Sequence, residues 1–501
     1  MSIKNWIIFQ FAKTQKKAIG KMASNAISDQ NKWFKYLIEK GGQTKFGQDH
    51  EFTSIDTIPA FQKKVPIRNY EDLKPYVEGI IEGRSNILWP GKPKYFGKTS
   101  GTTSGVKYIP ISQESIKFHI KTARNTILNY IAITRKNVFS GKMIFLSGSP
   151  ELEDKGGIAT GRLSGIVNHE VPAWVRPNQL PSYQTNCIEE WEPKLDKIVD
   201  ETYLEDMSLI SGIPPWVQMY YERLQIRSGK STMREIFPNL KLFIHGGVNY
   251  KPYQPILEKL HGTGVDTLET YPASEGFIAF QDTLDKEGLL LNTNAGMFFE
   301  FVEAQNIHDT HPTRLTLKDV ELNVDYALII TSNAGLWAYN IGDTIRFVSK
   351  SPYRVIVSGR IKHFISAFGE HVISKEVEEA MNIVSSQYKL TINEFTVAPQ
   401  INPSDDALPY HEWFVEFDVL PEQLEPIEKA LDKAMRDQNI YYDDLINGNV
   451  LRHLKIRPLE KDAFRSFMKS QGKLGGQNKV PRLTNDRQIA DALQKYVIKA
   501  F

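Results

Sequence analysis

The chain has 501 residues, a formal net charge of +2, and hydrophobic and charged fractions of 41% and 24%. That is an ordinary globular composition, and so balanced a charge gives no electrostatic case for nucleic acid as a partner. The length calls for a large domain with a smaller companion.

Taken in chain order, the first apolar run, Trp6 to Phe11, is short, is interrupted by Gln10 and is followed by no small-residue cleavage site. It predicts an amphipathic helix rather than a signal peptide. No segment approaches the ~20 apolar residues that a membrane helix needs. The single cysteine, Cys187, cannot close an internal disulfide, and a lone cysteine is more often structural than nucleophilic. The expectation is a soluble, cytoplasmic protein with no membrane partner; its oligomeric state is unknown at this level.

Up to about position 90 the pattern is helical. Short runs rich in β-branched or aromatic residues then predict strands at 143–146, 241–244, 298–302, 326–331 and 353–358. Between them Ile116, Ile120, Ala123, Ile127 and Ile131 share one helical face, with Ser112 as N-cap. Strands mixed with helices in this way predict an α/β chain. The texture changes near 359–363. Beyond it come a helix with Val377, Ala380, Met381 and Val384 on one side, a strand alternating Trp413, Val415, Phe417 and Val419, and a second helix with Ile427, Leu431 and Met435. A smaller α+β unit over 359–501 is predicted after a larger one over 1–358.

Four segments carry chemistry. KTSGTTSGVKYIP, residues 98–110, is built first of small hydroxyl residues and glycine. Successive backbone N–H groups in such a stretch form an anion nest, the hydroxyls of Thr99, Ser100, Thr102 and Thr103 add donors, and Lys107 supplies a point charge for phosphate oxygens. Gly101 and Gly105 are too close for a P-loop, and Val106 stands before the lysine. Composition leaves a flexible surface turn equally open. In ETYPASEG, residues 269–276, Tyr271 can lie against a purine while Ser274 and Glu275 face a metal ion; a plain turn is the alternative. HGGV places Gly246 and Gly247 after a strand, where a ligand or simply a tight turn can use them. In GLWAYNIGDTIRF, Asp343 sits at a turn and can accept from vicinal ribose hydroxyls, or be only a Gly-Asp turn.

Seven segments occur in a recognisable order: VPIRNYEDLKPYV (65–77), the 98–110 loop, FIHGGVNYKPY (243–253), ETYPASEGF (269–277), GLWAYNIGDTIRF (335–347), GRIKHFISAFGEHV (359–372) and GKLGGQNKVPRLTNDR (472–487). Together they resemble the acyl-acid amido synthetases known from auxin-responsive plant enzymes, especially a bacterial branch, within the acyl-adenylate-forming superfamily of acyl-CoA ligases and luciferase. The resemblance implies an α/β fold with a large multi-sheet N-terminal adenylating domain (1–358), binding ATP and the acyl acid, and a smaller mobile α+β C-terminal lid (359–501). It implies that Thr99, Ser100, Gly101, Thr102, Thr103 and Lys107 hold the ATP phosphates. Gly246, Gly247 and Tyr271 then meet the base, Ser274 and Glu275 the Mg²⁺ site with Glu275 as metal ligand, and Asp343 the ribose. Lys479 is implied as the basic side chain that the lid delivers. The implied reaction is ATP-dependent activation of a small carboxylic acid as an acyl-adenylate, then transfer to an amine or amino acid. An acid–CoA ligase and a silent nucleotide-binding homologue are the alternatives. Three positions depart from the family: Ala338 and Asn340 stand where basic residues are usual, and Thr99 where Ser is usual.

Overall fold

The computed structural model describes residues 3–100, 106–188, 191–247, 250–251, 253–361, 364–365, 370, 372–401, 403, 408–447, 451–472, 479–484 and 486–499. The chain divides into two compact units. The first comprises Met1–Asn249, Ile256–Ile341 and Ile345–Val357; the second comprises Tyr250–Pro255, Gly342–Thr344 and Ser358–Phe501.

The first unit opens with helices Ile3–Ser24, Ala26–Gly41, Ile58–Lys64 and Tyr70–Ile81. Local chemistry fixes their starts. Thr57 accepts from the Ala60 N–H at 3.3 Å. Asn69 and Asp72 exchange side-chain and backbone bonds in a capping box, which satisfies donors that the first turn would otherwise leave open. The helix expected after Ser112 is Ser115–Thr134. Its start is held by Ser112 as predicted, since the Ser112 Oγ accepts from the Ser115 N–H at 2.9 Å.

Fifteen strands follow in and between these helices: β1 (Tyr95–Ser100), β2 (Val106–Ile111), β3 (Lys142–Phe145), β4 (Glu153–Asp154), β5 (Ala159–Gly161), β6 (Gln179–Leu180), β7 (Met207–Ser211), β8 (Leu242–Gly246), β9 (Asp266–Ala273), β10 (Gly276–Phe280), β11 (Leu289–Leu291), β12 (Met297–Glu303), β13 (Asp325–Ser332), β14 (Tyr339–Lys350) and β15 (Tyr353–Arg360). They form a four-stranded sheet, β2-β1-β5-β4, and an eleven-stranded sheet, β12-β13-β14-β15-β11-β10-β9-β8-β7-β3-β6. Within the large sheet β6, β3, β7, β8 and β9 are parallel, and β9 to β11 and β15 are antiparallel. All five predicted strands exist, each displaced or extended by one or two residues at its ends.

In the second unit β16 (Phe364–Ile365) pairs with β17 (Val372–Ile373), and β18 (Ile392–Gln400), β19 (Tyr410–Phe417) and β20 (Lys455–Leu459) form a three-stranded sheet. Helices Ser374–Tyr388 and Glu425–Gln438 cover one face through Val377, Val384, Leu431 and Met435, packed on Trp413 and Val415. Phe414 and Ala398 face a second cluster with Phe464 and Leu493. Thus β19 is buried on both faces, which the alternating pattern did not predict. Val419 is a correction: it lies beyond β19 and is 75% exposed. Among the described residues no helix is long and apolar enough to cross a membrane.

Candidate active site

The parallel register brings the carboxyl ends of β3, β7, β8 and β9 to one edge: Phe145 pairs with Ser211, Ser211 with Ile244, and Gly246 with Thr270. Loops at such an edge are where α/β sheets bind ligands. Gly246 is compelled by packing, because a Cβ there would stand 2.2 Å from the Thr270 carbonyl oxygen. Gly247 follows in the left-handed region at φ +78°. Tyr271, two residues before the end of β9, is buried at 7% exposure. The chain then turns at Ser274 and Glu275, both partly exposed, into β10.

The four-stranded sheet leans on that turn. A Cβ on Gly97 would lie 3.1 Å from the Ser274 Cβ, so β1 runs directly over Ser274. Two residues on, Thr99 pairs with Lys107 across β1 and β2, and directly opposite residues share one face of a sheet. The Lys107 Nζ stands 5.9 Å from the centre of the Tyr70 ring, and the Tyr70 hydroxyl accepts from the Tyr108 N–H at 2.9 Å. Burial, reinforced by the charge of Glu275 and by Tyr70, pushes the Tyr339 phenol well above its ordinary range. Tyr70 is likewise pushed up, mainly by burial. Glu275, Tyr339, Tyr70 and Lys107 therefore belong to one neighbourhood, with both phenols protonated and able to donate at neutral pH.

Of the residues expected from sequence, Thr99, Lys107, Gly246, Gly247, Tyr271, Ser274 and Glu275 are described in the first unit. Ser100 ends β1. Gly101, Thr102 and Thr103 lie outside the described residues. Asp343, in β14 directly after Gly342 at φ +86°, and Lys479, which is exposed, belong to the second unit. Gly359 is in β15, while His363 lies outside the described residues. Tyr70, Gly97 and Tyr339 were missed as individual residues, although two of them sit inside quoted segments. A lone glycine in an apolar strand just before the hydroxyl run was the available signal for Gly97.

The departures at 338 and 340 have a backbone context. Arg68 N–H donates to the Ala338 carbonyl at 2.9 Å, and Asn340 N–H to the Arg68 carbonyl at 2.8 Å. Ala338 is fully buried, at φ +45°, with its N–H on the Thr331 Oγ1. The segment 65–77 is thereby stitched to the strand that carries Tyr339.

Among the described residues no group of three or more His, Cys, Asp or Glu side chains is placed to hold a metal ion. Glu275 would contribute a carboxylate, which fits the pattern of Mg²⁺ held by one or two protein carboxylates, substrate phosphates and water.

Models of the GH3 family match three stretches: its N-terminal domain over 15–180, its central domain over 290–360 and its C-terminal domain over 375–488. The chain belongs to the GH3 family. Among its relatives, the jasmonoyl–L-amino acid synthetase JAR4 of Nicotiana attenuata is 23% identical over 91% of this chain and 90% of its own length. The 4-substituted benzoates–glutamate ligase GH3.12 of Arabidopsis thaliana is 23% identical over 99% of each. A solved GH3 structure, the AtGH3.15 acyl acid amido synthetase in complex with 2,4-DB, superposes with a TM-score of 0.81 at 16% identity, covering 97% of this chain and 96% of that one. The GH3 fold thus spans the chain. Gly246, Tyr271 and Glu275 fall between the matched N-terminal and central stretches.

Proposed function

We propose that this chain is an acyl-acid amido synthetase. In the first half-reaction an acid's carboxylate oxygen attacks the α-phosphorus of ATP, and pyrophosphate leaves. In the second an amino acid's amine attacks the acyl carbon, AMP leaves with the carbonyl-bound oxygen, and the nitrogen loses a proton. The observation that carries this reading is the meeting of the hydroxyl-rich strand β1, Lys107 and the Ser274–Glu275 turn at the carboxyl edge of a GH3 chain. GH3 relatives named as acid–amino acid ligases cover nearly its whole length.

The chemistry asks the protein to bring two anions together. Lys107 and backbone N–H groups of the 98–110 loop would lower their repulsion, and Thr99 and Ser100 would orient phosphate oxygens. Glu275 would hold Mg²⁺, which when bound neutralises phosphate charge. Tyr70 and Tyr339, kept protonated, would donate to oxygens at the same place. Gly246, Gly247 and Tyr271 would border the base, and Asp343 the ribose. Lys479 would be brought in by the second unit, which we assign as the mobile lid over 359–501. Fixing the carboxylate in line with the α-phosphorus is worth up to about 7–11 kcal/mol in ideal cases.

The test is exchange of labelled pyrophosphate into ATP across a panel of carboxylic acids, followed by AMP release with amino acids and with CoA. Acid-dependent exchange, with amide formed in the second stage, is expected. Exchange with thioester only would make the chain an acid–CoA ligase. ATP binding with no exchange for any acid would make it a silent nucleotide binder.

A further inference from the structure

Beside the carboxyl end of β3 lie two cations, one buried and one half-buried. Lys194, on helix Trp191–Thr202, is 2% exposed. Its Nζ donates to the carbonyls of Ser147 at 3.2 Å and Asn186 at 2.5 Å, and among the described residues its third proton has no partner. Arg162 follows β5 and packs its side chain on Gly148. Burial pushes Lys194 down to about 8, with Cys187 opposing and the charge of Arg162 adding to the fall. Burial also holds Arg162 below its usual range. Among the described residues no carboxylate pairs with either side chain. Among the described residues two buried donors close by in sequence also lack a partner: the Ser164 Oγ, two residues after Arg162, and the Trp191 Nε1, one helical turn before Lys194. Ser164 lies in the first turn of helix Leu163–Glu170, which opens directly after Arg162.

Desolvated cations without a counter-ion are costly, and a second cation nearby raises the cost. Structural lysines in interiors normally meet a carboxylate. Here both cations instead sit at the ligand-binding edge. Gly161, the residue before Arg162, pairs with Gly97, the residue that rests on Ser274. The Lys194 ammonium is tied to Ser147, two residues past β3.

We propose that Arg162 and Lys194 form a subsite for a substrate carboxylate, with Ser164 and Trp191 as further donors. An arginine fork matches carboxylate geometry, and a lysine adds a point charge. This deepens the reading given above and rests on it. Two substrates bring that chemistry: the acyl acid, and the amino acid through its α-carboxylate.

The experiment uses the full chain with Arg162→Gln, Lys194→Met and the charge-keeping Arg162→Lys. The acid and amino acid are those the screen above selects. Circular dichroism and thermal melts establish that each variant folds; Arg162 is only half-buried, so its variants serve if Lys194→Met does not fold. KM is measured for ATP and acid in pyrophosphate exchange. It is then measured in amide formation for the amino acid and for its methyl ester, which lacks the charge. The subsite predicts at least a tenfold rise in KM for one carboxylate substrate, partial rescue in Arg162→Lys, and no change in KM for ATP. A rise for the amino acid but not its ester assigns the subsite to the acceptor. A rise for the acid during exchange assigns it to the acyl substrate. Equal weakening of amino acid and ester with the acid unaffected, a rise for ATP, or no change at all would overturn the subsite alone. Wild-type protein with no acid-dependent exchange would overturn the parent reading as well.

Discussion

Gly97 and Ser274 touch: a Cβ on Gly97 would stand 3.1 Å from the Ser274 Cβ and 3.2 Å from its Oγ. The strand that enters the hydroxyl loop is thereby braced on the turn that carries Glu275. Gly97→Ala must displace that turn by a few tenths of an ångström. Displacement of about 1 Å can cost about a hundredfold in rate. A roughly tenfold loss in acid-dependent exchange is expected. Stability should change by about 1 kcal/mol or less, because a strand alanine recovers chain entropy. Exchange rate and melting temperature measured together check this; unchanged exchange would detach β1 from the site.

Glu275→Gln keeps the shape of the turn and removes its charge. Exchange should fall by about a hundredfold or more, as for loss of one electrostatic stabiliser in a dry site. Raising Mg²⁺ should recover part of the rate if the carboxylate holds the ion. Full exchange in the variant would remove Glu275 from the metal role.

Asp343, 7% exposed in β14, is assigned to the ribose. Asp343→Ala should raise the KM for ATP about tenfold or more, the cost of losing hydrogen bonds to a charged acceptor. Wild-type protein should bind 2′,3′-dideoxy-ATP more weakly than ATP by a similar factor, and the variant should no longer distinguish them. Equal binding of the two nucleotides by the wild type would end the assignment.

Much of this was legible from the chain. Strong periodicity located the helices Ser115–Thr134, Ser374–Tyr388 and Glu425–Gln438, because one-sided burial writes itself into spacing. What pattern reading missed was long-range. Nothing local to β19 says that both faces are covered, once by Trp413 and Val415 and once by Phe414. The aromatic window 214–221 has the composition of a pocket wall yet packs as core: the Trp216 ring lies tilted against Trp191 with centroids 4.9 Å apart, and the Tyr220 hydroxyl meets Thr202 at 2.7 Å. Core and pocket use the same residue types, so composition could not separate them. Arg162 and Lys194 were invisible for another reason. A buried cation is recognised by its surroundings, and these come from segments 8 to 47 residues away.

Three histidines make stability pH-dependent. Burial pushes His119 and His261 down to about 4, and burial together with the charge of His261 pushes His245 down to about 3, from an ordinary 6.5. In the unfolded chain each binds a proton near 6.5, and in the folded chain it does not until the pH is far lower. The folded state therefore holds fewer protons in this window, so stability is lost as pH falls from 6.5 towards 4. The limit is about 1.4 kcal/mol per pH unit for each histidine. Urea midpoints at pH 7.5, 6.0 and 5.0 should fall increasingly steeply, and His119→Gln should reduce the slope by about a third. Equal midpoints at the three pH values would contradict the burial of these rings.

A buried ion pair helps to hold the segment 65–77 in place. Glu300, in β12, is 0% exposed and Arg314 6%. The Arg314 Nε donates to Glu300 Oε1 at 3.0 Å, and the second fork nitrogen reaches Oε2. The Gln62 amide also donates to Glu300, at 2.9 Å. The other arginine nitrogen ties the carbonyls of Gln62 and Val65, and Arg68, three residues on, joins the backbone around Tyr339. Removing one partner strands a buried charge. Arg314→Met should therefore cost about 3–5 kcal/mol, whereas adding Glu300→Met should restore much of it, because a buried pair exchanged for apolar residues is often neutral. Denaturant melts of both singles and the double give the coupling, expected at about 1–3 kcal/mol. Since the double variant regains packing but not the bonds to Gln62 and Val65, its exchange activity should stay below wild type after its stability has recovered. Activity that returns together with stability would mean that the ion pair supports the fold and not the placement of Tyr339.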